Sequence, residues 1–314
     1  MPCYHPIPMW HSKDINKETG KRPLTANYGN AWRPLGKLPE TIYVPCGQCV
    51  GCRLEYSRQW AMRCVHEFEM AGRVGSFLTL TYSPEYLPED GKIHKDVFQK
   101  FMKRLRKKFG NGLRFFACGE YGHKFKRPHY HAVIFGLQFP DLMIHTVKHG
   151  FQYYRSPILE NLWPYGFSLV GSVTFESCAY VARYVMKKQK GDDIDESLQP
   201  FVLMSRMPGL GHSWYEKYKS QVYPNDFIVV RDGVTCRPPA YYDSLLEKDD
   251  PDLYEDVKKA RQDKYRREES MTTEEYEIAQ VQERLKARKL TKLVRRLHDD
   301  MDMFNRFYLI FCPS

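Results

Sequence analysis

Hydrophobic and polar positions along the chain switch between a period near 3.6 and a period of two, and the switching predicts helices laid on a sheet. From Arg53 to Ala71, Leu54, Ala61, Val65 and Phe68 recur at helical spacing, and Gly72 and Gly75 mark the stop. In "FLTLTY", Phe77, Thr79 and Thr81 alternate with Leu78, Leu80 and Tyr82, the rhythm of a strand, which Pro84 and Pro88 end. "DVFQKFMKRLRKKFG" then sets Val97, Phe101, Leu105 and Phe109 on one face of a basic helix. "LRFFACGE" and "PHYHAVIFG" are β-rich runs joined by "YGHKFKR", which reads as a hairpin, and "SLVGSVTFE" adds a strand before a helix that starts near Ser177.

Strands interleaved with helices around a central hairpin predict an α+β fold, an antiparallel sheet covered by helices, in preference to a parallel doubly wound sheet. Three segments are expected. Residues 1–72 hold an irregular arm rich in Pro, Gly, Asn and Lys, the cluster "CGQCVGC" and the first helix; residues 73–235 hold the sheet; residues 236–314 are charged and helical. In the last segment Thr272 and Glu275 form a capping box, and Ile278, Val281 and Leu285, then Leu290, Leu293, Leu297 and Met301, form an apolar stripe. That stripe suits a helix docked on the core, while "KARKLTKLVRR" suits an arm contacting DNA.

Charge narrows the partners. The 314 residues include 48 Lys and Arg against 38 Asp and Glu, a net charge of +10, which favours a polyanion because basic side chains release its counterions. No apolar run is long enough to span a bilayer, and "MPCYHPIPMW" lacks the charged-then-apolar order of a secretory signal, so a cytosolic protein with no membrane partner is expected. In that compartment a tight cysteine cluster more often binds metal than forms disulfides. Cys46, Cys49 and Cys52 have CxxCxxC spacing and Cys3 is a candidate fourth ligand for structural Zn²⁺; reduced buried thiols and an iron–sulfur cluster are the alternatives.

Two further groups carry chemistry. His129 and His131 project from the same face of a strand, with Val133 and Phe135 continuing that face inward. By itself such a pair is ordinary packing, but an antiparallel hairpin brings Glu120 across from it, and two imidazoles with one carboxylate leave positions open on a metal for water or phosphate. In "CAYVARYVMKK", Tyr180 and Tyr184 are one helical turn apart, Lys187 shares their face, Lys188 lies at its edge, and Val181, Ala182, Val185 and Met186 lie opposite. A phenol, with an unperturbed pKa of about 10, becomes a useful nucleophile beside a cation or metal. Lys124, Lys126 and Arg127 in the hairpin loop, Arg183 and Lys188 on the tyrosine helix, and the run Lys103 to Lys108 are candidate contacts to a DNA backbone, and Phe116, Trp214 and Tyr215 are candidates for base stacking. His66, His94, His123 and His212 have no partner evident in the sequence.

Taken in order, "FLTLTY", "CGEYG", "RPHYHAVIFG" and "YVARYVMKK" resemble the first strand motif, acidic ligand, His-hydrophobe-His motif and two-tyrosine motif of the HUH endonucleases, the rolling-circle replication initiators. The likeness is greatest to the initiators of the Microviridae, the gokushovirus type, and extends from "PCGQCVGC" to about Tyr242, through "SRMPGLGHSWYEKY" and "RPPAYYDSLL". The resemblance implies a ferredoxin- or RRM-like core in which His129, His131 and Glu120 hold one Mg²⁺ or Mn²⁺. It also implies that Tyr180 or Tyr184 attacks a single-stranded phage origin, leaving a 5′-phosphotyrosine link and a free 3′-hydroxyl; Lys187, read from its place on their helix face, would favour the ionised phenol or balance charge on the phosphate. No Walker-type glycine loop is present, so a host helicase would separate strands and a host DNA polymerase would extend the 3′ end, in the host bacterial cytoplasm. A relaxase or transposase of the same superfamily, and a zinc-stabilised nucleic-acid-binding protein without catalysis, are the alternatives.

Overall fold

A computed structural model describes residues 3–18, 20–35, 37–122, 127–148, 151–184, 200–231, 233–267, 277–278, 280–285 and 287–288. It divides into two compact units, Met1–Glu55 with Ser270–Thr291, and Tyr56–Glu269 with Lys292–Ser314. By its contacts the segment Ser270–Thr291 groups with the amino-terminal residues.

In the first unit the segment expected to be irregular carries three short strands, β1 (Ile7–His11), β2 (Leu24–Thr25) and β3 (Ile42–Val44), in the antiparallel order β2-β1-β3. They are too short for a visible period of two, which is why composition alone reads as loop. Helix α1 (Val50–Met70) follows.

The second unit is built on a seven-stranded sheet. Its elements in chain order are β4 (Gly75–Tyr82), α2 (Lys95–Phe109), β5 (Arg114–Tyr121), β6 (Pro128–Phe135), β7 (Met143–Lys148), β8 (Phe151–Arg155), α3 (Pro157–Leu162), β9 (Gly166–Gly171), α4 (Phe175–Tyr184) and β10 (Phe201–Met204). The strand order is β10-β5-β6-β4-β9-β8-β7, and every neighbouring pair is antiparallel. Helices α5 (His212–Val222), α6 (Ala240–Asp249) and α7 (Pro251–Arg267) and the hairpin of β11 (Ile228–Arg231) and β12 (Val234–Cys236) complete it. The expected α+β class is therefore the observed one.

Strand β6 is buried along its whole length because helices cover both faces of the sheet. On one face Tyr130, Ala132 and Ile134 pack with Leu78 and Leu80 of β4 and with Phe98, Phe101, Met102 and Leu105 of α2. On the other, Val133 and Phe135 pack with Ala61 and Cys64 of α1 and with Cys178, Val181 and Ala182 of α4. A third cluster joins Met62 of α1 to Trp214, Tyr215, Tyr242 and Leu246. Burying an aliphatic or aromatic side chain of this kind contributes about 1.5–3 kcal/mol, so the two faces fix which residues of β6 look toward α1 and α4. Those are the odd-numbered ones, His129 and His131 among them.

Among the described residues of the carboxy-terminal segment, Ile278, Val281 and Leu285 are each about half exposed, at 50%, 53% and 52%. The capping box at Thr272 and Glu275, and the residues from Leu290 onward, lie outside the described residues.

Candidate active site

The hairpin of β5 and β6 sets Glu120 directly opposite His129, and β4 on the other side sets Thr79 opposite His131 and Thr81 opposite His129. Period-two alternation then places Glu120, His129, His131 and Thr79 on one face of three adjacent strands. Helix α4 is laid over that face. Its start is fixed by Thr174 and Ser177, which exchange bonds at 3.2 and 2.9 Å between side-chain oxygen and backbone N–H, so that Tyr180 arrives above the strand end.

The result is a closed group. The Tyr180 hydroxyl donates to Glu120 Oε1 at 3.0 Å and lies 3.4 Å from His131 Nε2. Glu120 Oε1 is also 3.1 Å from His129 Nε2 and 3.0 Å from His131 Nε2. Glu120, His129, His131 and Tyr180 are 1%, 6%, 0% and 8% exposed. Phe77 lies parallel to the His131 ring at 5.8 Å and edge-on to Tyr180 at 6.3 Å, which restricts both rings.

The outer nitrogens of both histidines are engaged. His129 Nδ1 is 3.0 Å from the Arg127 carbonyl, and His131 Nδ1 is 3.1 Å from Thr79 Oγ1. A carbonyl only accepts, so His129 carries its proton on Nδ1 and turns Nε2 toward the carboxylate. In the neutral ring that nitrogen and Glu120 Oε1 are two electron-pair donors facing each other at 3.1 Å, an arrangement that needs a cation between them or a second proton on the ring. Burial raises the Glu120 carboxyl, but the His129 charge and hydrogen bonds from His129 and His131 outweigh it and hold it well below the usual carboxylate range.

One oxygen of Glu120 and one nitrogen from each histidine lie within 4.8 Å of one another, a donor set that suits a divalent cation. The four sulfurs of Cys3, Cys46, Cys49 and Cys52 form a second such group.

The structure thus brings together Glu120, His129, His131 and Tyr180. It differs from expectation on the setting of the tyrosine: Tyr180 sits at the margin of the cluster that holds Val181 and Ala182, not on a separate polar face. Tyr184 is the last residue of α4, and its side chain and that of Arg183 lie outside the described residues, as do Val185, Met186, Lys187, Lys188, His123, Lys124 and Lys126. Arg127 meets the site through its carbonyl.

The aromatics expected to stack on bases are committed elsewhere. Phe116 is fully buried beneath Trp60, Trp214 stacks on His66 at 3.6 Å, and the Tyr215 hydroxyl donates to Asp249. His66 has a partner in the Tyr242 hydroxyl at 2.8 Å, and His94 one in Asp90 at 3.1 Å. Thr79 was missed as a site residue although "FLTLTY" places it on the face opposite Leu78 and Leu80; pairing that face with the histidine face would have found it.

Fold and site together define an α+β sheet protein with a histidine–carboxylate cluster and a tyrosine at one strand end. Residues 75–189 match the family model described as replication-associated protein ORF2/G2P. The chain is 35% identical over 232 residues to replication-associated protein VP4 of Bdellovibrio phage phiMH2K, covering 71% of this chain and 73% of that one. It is 34% identical to replication-associated protein ORF2 of Spiroplasma virus 4, over 70% and 73% of the two chains, and 31% identical to replication-associated protein ORF4 of Chlamydia phage 1, over 65% and 54%. No solved structure matches. The chain belongs to this family of phage replication-associated proteins, the Microviridae type that its motifs resemble. No helix among the described residues is long and apolar enough to cross a membrane.

Proposed function

We propose that the protein starts rolling-circle replication by nicking a single-stranded phage origin and rejoining its ends, with Tyr180 and Tyr184 as nucleophiles and Glu120, His129 and His131 as ligands of Mg²⁺ or Mn²⁺. The observation that carries this reading is the Tyr180 hydroxyl, 3.0 Å from Glu120 Oε1 and 3.4 Å from His131 Nε2. A phenol held against a two-histidine, one-carboxylate set is what a metal-assisted attack on a phosphodiester requires.

When bound, the cation supplies charge that polarises the scissile phosphate. The residues do the rest. Tyr180 Oη bonds to phosphorus as the bond from phosphorus to the 3′ oxygen breaks, and the proton the phenol gives up ends, through solvent, on that oxygen, which leaves as the 3′-hydroxyl. The new phosphotyrosine keeps the energy of the old diester, so a 3′-hydroxyl attacking it in reverse rejoins DNA without ATP. A second tyrosine one helical turn along lets the protein cleave the regenerated origin while still holding the first end. Lys187 balances charge as the bond breaks, and Lys124, Lys126, Arg127, Arg183 and Lys188 contact the backbone. A host helicase and DNA polymerase act with it in the bacterial cytoplasm.

Purified protein mixed with single-stranded origin DNA and Mn²⁺ or Mg²⁺ should form a protein–DNA adduct that survives denaturant. Chelation and His129→Ala should each abolish it while salt-dependent binding persists, and Tyr180→Phe with Tyr184→Phe should abolish it together. An adduct formed by the double variant would refute the tyrosine assignment.

A further inference from the structure

The four cysteines take no part in the proposed nicking, yet their arrangement is built for a ligand. Cys46 and Cys49 flank a turn, Cys52 lies in the first turn of α1, and Cys3 arrives from 43 residues earlier in the chain than Cys46. Cys3 Sγ is 3.9 Å from Cys49 Sγ, and Cys46 Sγ is 4.0 Å from Cys52 Sγ. Tetrahedral zinc with Zn–S bonds of about 2.3 Å holds its sulfurs about 3.8 Å apart. The gaps are tetrahedron edges; a disulfide would close one of them to about 2 Å.

Backbone N–H groups converge on the same sulfurs. Gln48 N and Cys49 N point at Cys46 Sγ at 3.4 and 3.3 Å, Tyr4 N and Cys52 N at Cys49 Sγ, each at 3.4 Å, and Cys46 N at Cys3 Sγ at 3.3 Å. Such bonds favour the thiolate, the form of cysteine that binds metal. Gly47, at φ +71°, lets the turn between Cys46 and Cys49 fold tightly enough for two N–H groups to reach one sulfur.

The surrounding unit has little else to hold it. Its strands are 5, 2 and 3 residues long, and its buried hydrophobic residues among those described are Tyr4, Ala31 and Cys49. A core that small is normally stapled by a metal or disulfides. Glu283 adds a tie at the same place: Oε1 accepts from the N–H of Val50, the first residue of α1, at 3.1 Å, and Oε2 lies 2.7 Å from His5 Nε2. A carboxylate there also favours the positive end of the helix.

We infer that Cys3, Cys46, Cys49 and Cys52 bind one zinc ion as a tetrathiolate, and that this ion closes the amino-terminal unit. Four thiolates in a tetrahedral set are the coordination that structural zinc takes.

The test is metal analysis and native mass spectrometry of the full chain, purified without chelator. One zinc per chain is expected, retained in the double Phe variant at Tyr180 and Tyr184 and after an EDTA wash. Cys3→Ser should lower the content severalfold while Cys236→Ser leaves it at one. Stripping the zinc with a thiol-binding mercurial should speed proteolysis within residues 3–55. A chain that carries no metal, or carries iron, overturns the inference, and so does full zinc retention in Cys3→Ser. None of these readouts uses DNA cleavage, so they stand or fall apart from the nicking reaction.

Discussion

His131 is held on every side: Thr79 at Nδ1, Glu120 and Tyr180 at Nε2, and Phe77 parallel to its ring. The Thr79 hydroxyl holds the ring from the side away from Glu120 and Tyr180, and in a metal site partners of this kind are worth roughly 10–100-fold in metal affinity or activity. Thr79→Val, nearly the same shape, should therefore slow adduct formation by roughly that factor and weaken Mn²⁺ binding in titration, at about 1–2 kcal/mol of stability. Thr79→Ser keeps the hydroxyl and should recover most of the rate. An unchanged Mn²⁺ affinity in Thr79→Val would mean that the hydroxyl does not position the ring. At this scale the sequence was informative because strand periodicity is strict: His129, His131 and Glu120 could be placed on one face from spacing and a hairpin alone. The burial of Tyr180 was not legible, because helical spacing gives the relation of a residue to its own helix and not the tilt at which that helix meets a sheet.

Elements carry the site only if their ends meet in register. The start of β9 meets the end of β4 at Gly166, paired with Tyr82, where φ is +149° and a Cβ would run into the backbone of Thr81, Tyr82 and Ser83. No side chain can relieve a clash with backbone, so Gly166→Ala should cost about 3 kcal/mol. Denaturant unfolding measures this; a loss well under 1 kcal/mol would mean that the strand ends are not fixed there. The strands and helices with strong periods, α1, β4, α2, β5, β6 and α4, were all visible in the sequence. The short strands β1, β2, β3, β10, β11 and β12 were not, since runs of two to five residues hold too few positions to show alternation.

The whole molecule adds a dependence on acid. His66 lies buried against Trp214 and Tyr242, and burial lowers its pKa from 6.5 to about 3. The folded chain therefore keeps this ring neutral, whereas the unfolded chain protonates it below 6.5. Its contribution is fully present above that pH and is lost as pH falls toward 3, by up to about 1.4 kcal/mol per pH unit. Unfolding measured across that window should show stability falling with pH, with a shallower slope in His66→Phe; equal slopes would remove His66 as the cause. The net charge of +10 and the family are both consistent with a nucleic-acid partner, but charge alone names no reaction.

A tyrosine of α4 joined to DNA is the direct product of the proposed nicking reaction. The adduct formed on a single-stranded origin oligonucleotide can be digested with protease and nuclease and the modified peptide sequenced by tandem mass spectrometry. The account predicts a nucleotide 5′-phosphate on Tyr180 or Tyr184 in the wild-type chain, and on the remaining tyrosine alone in each single Phe variant. A phosphate linked to any other residue would contradict it.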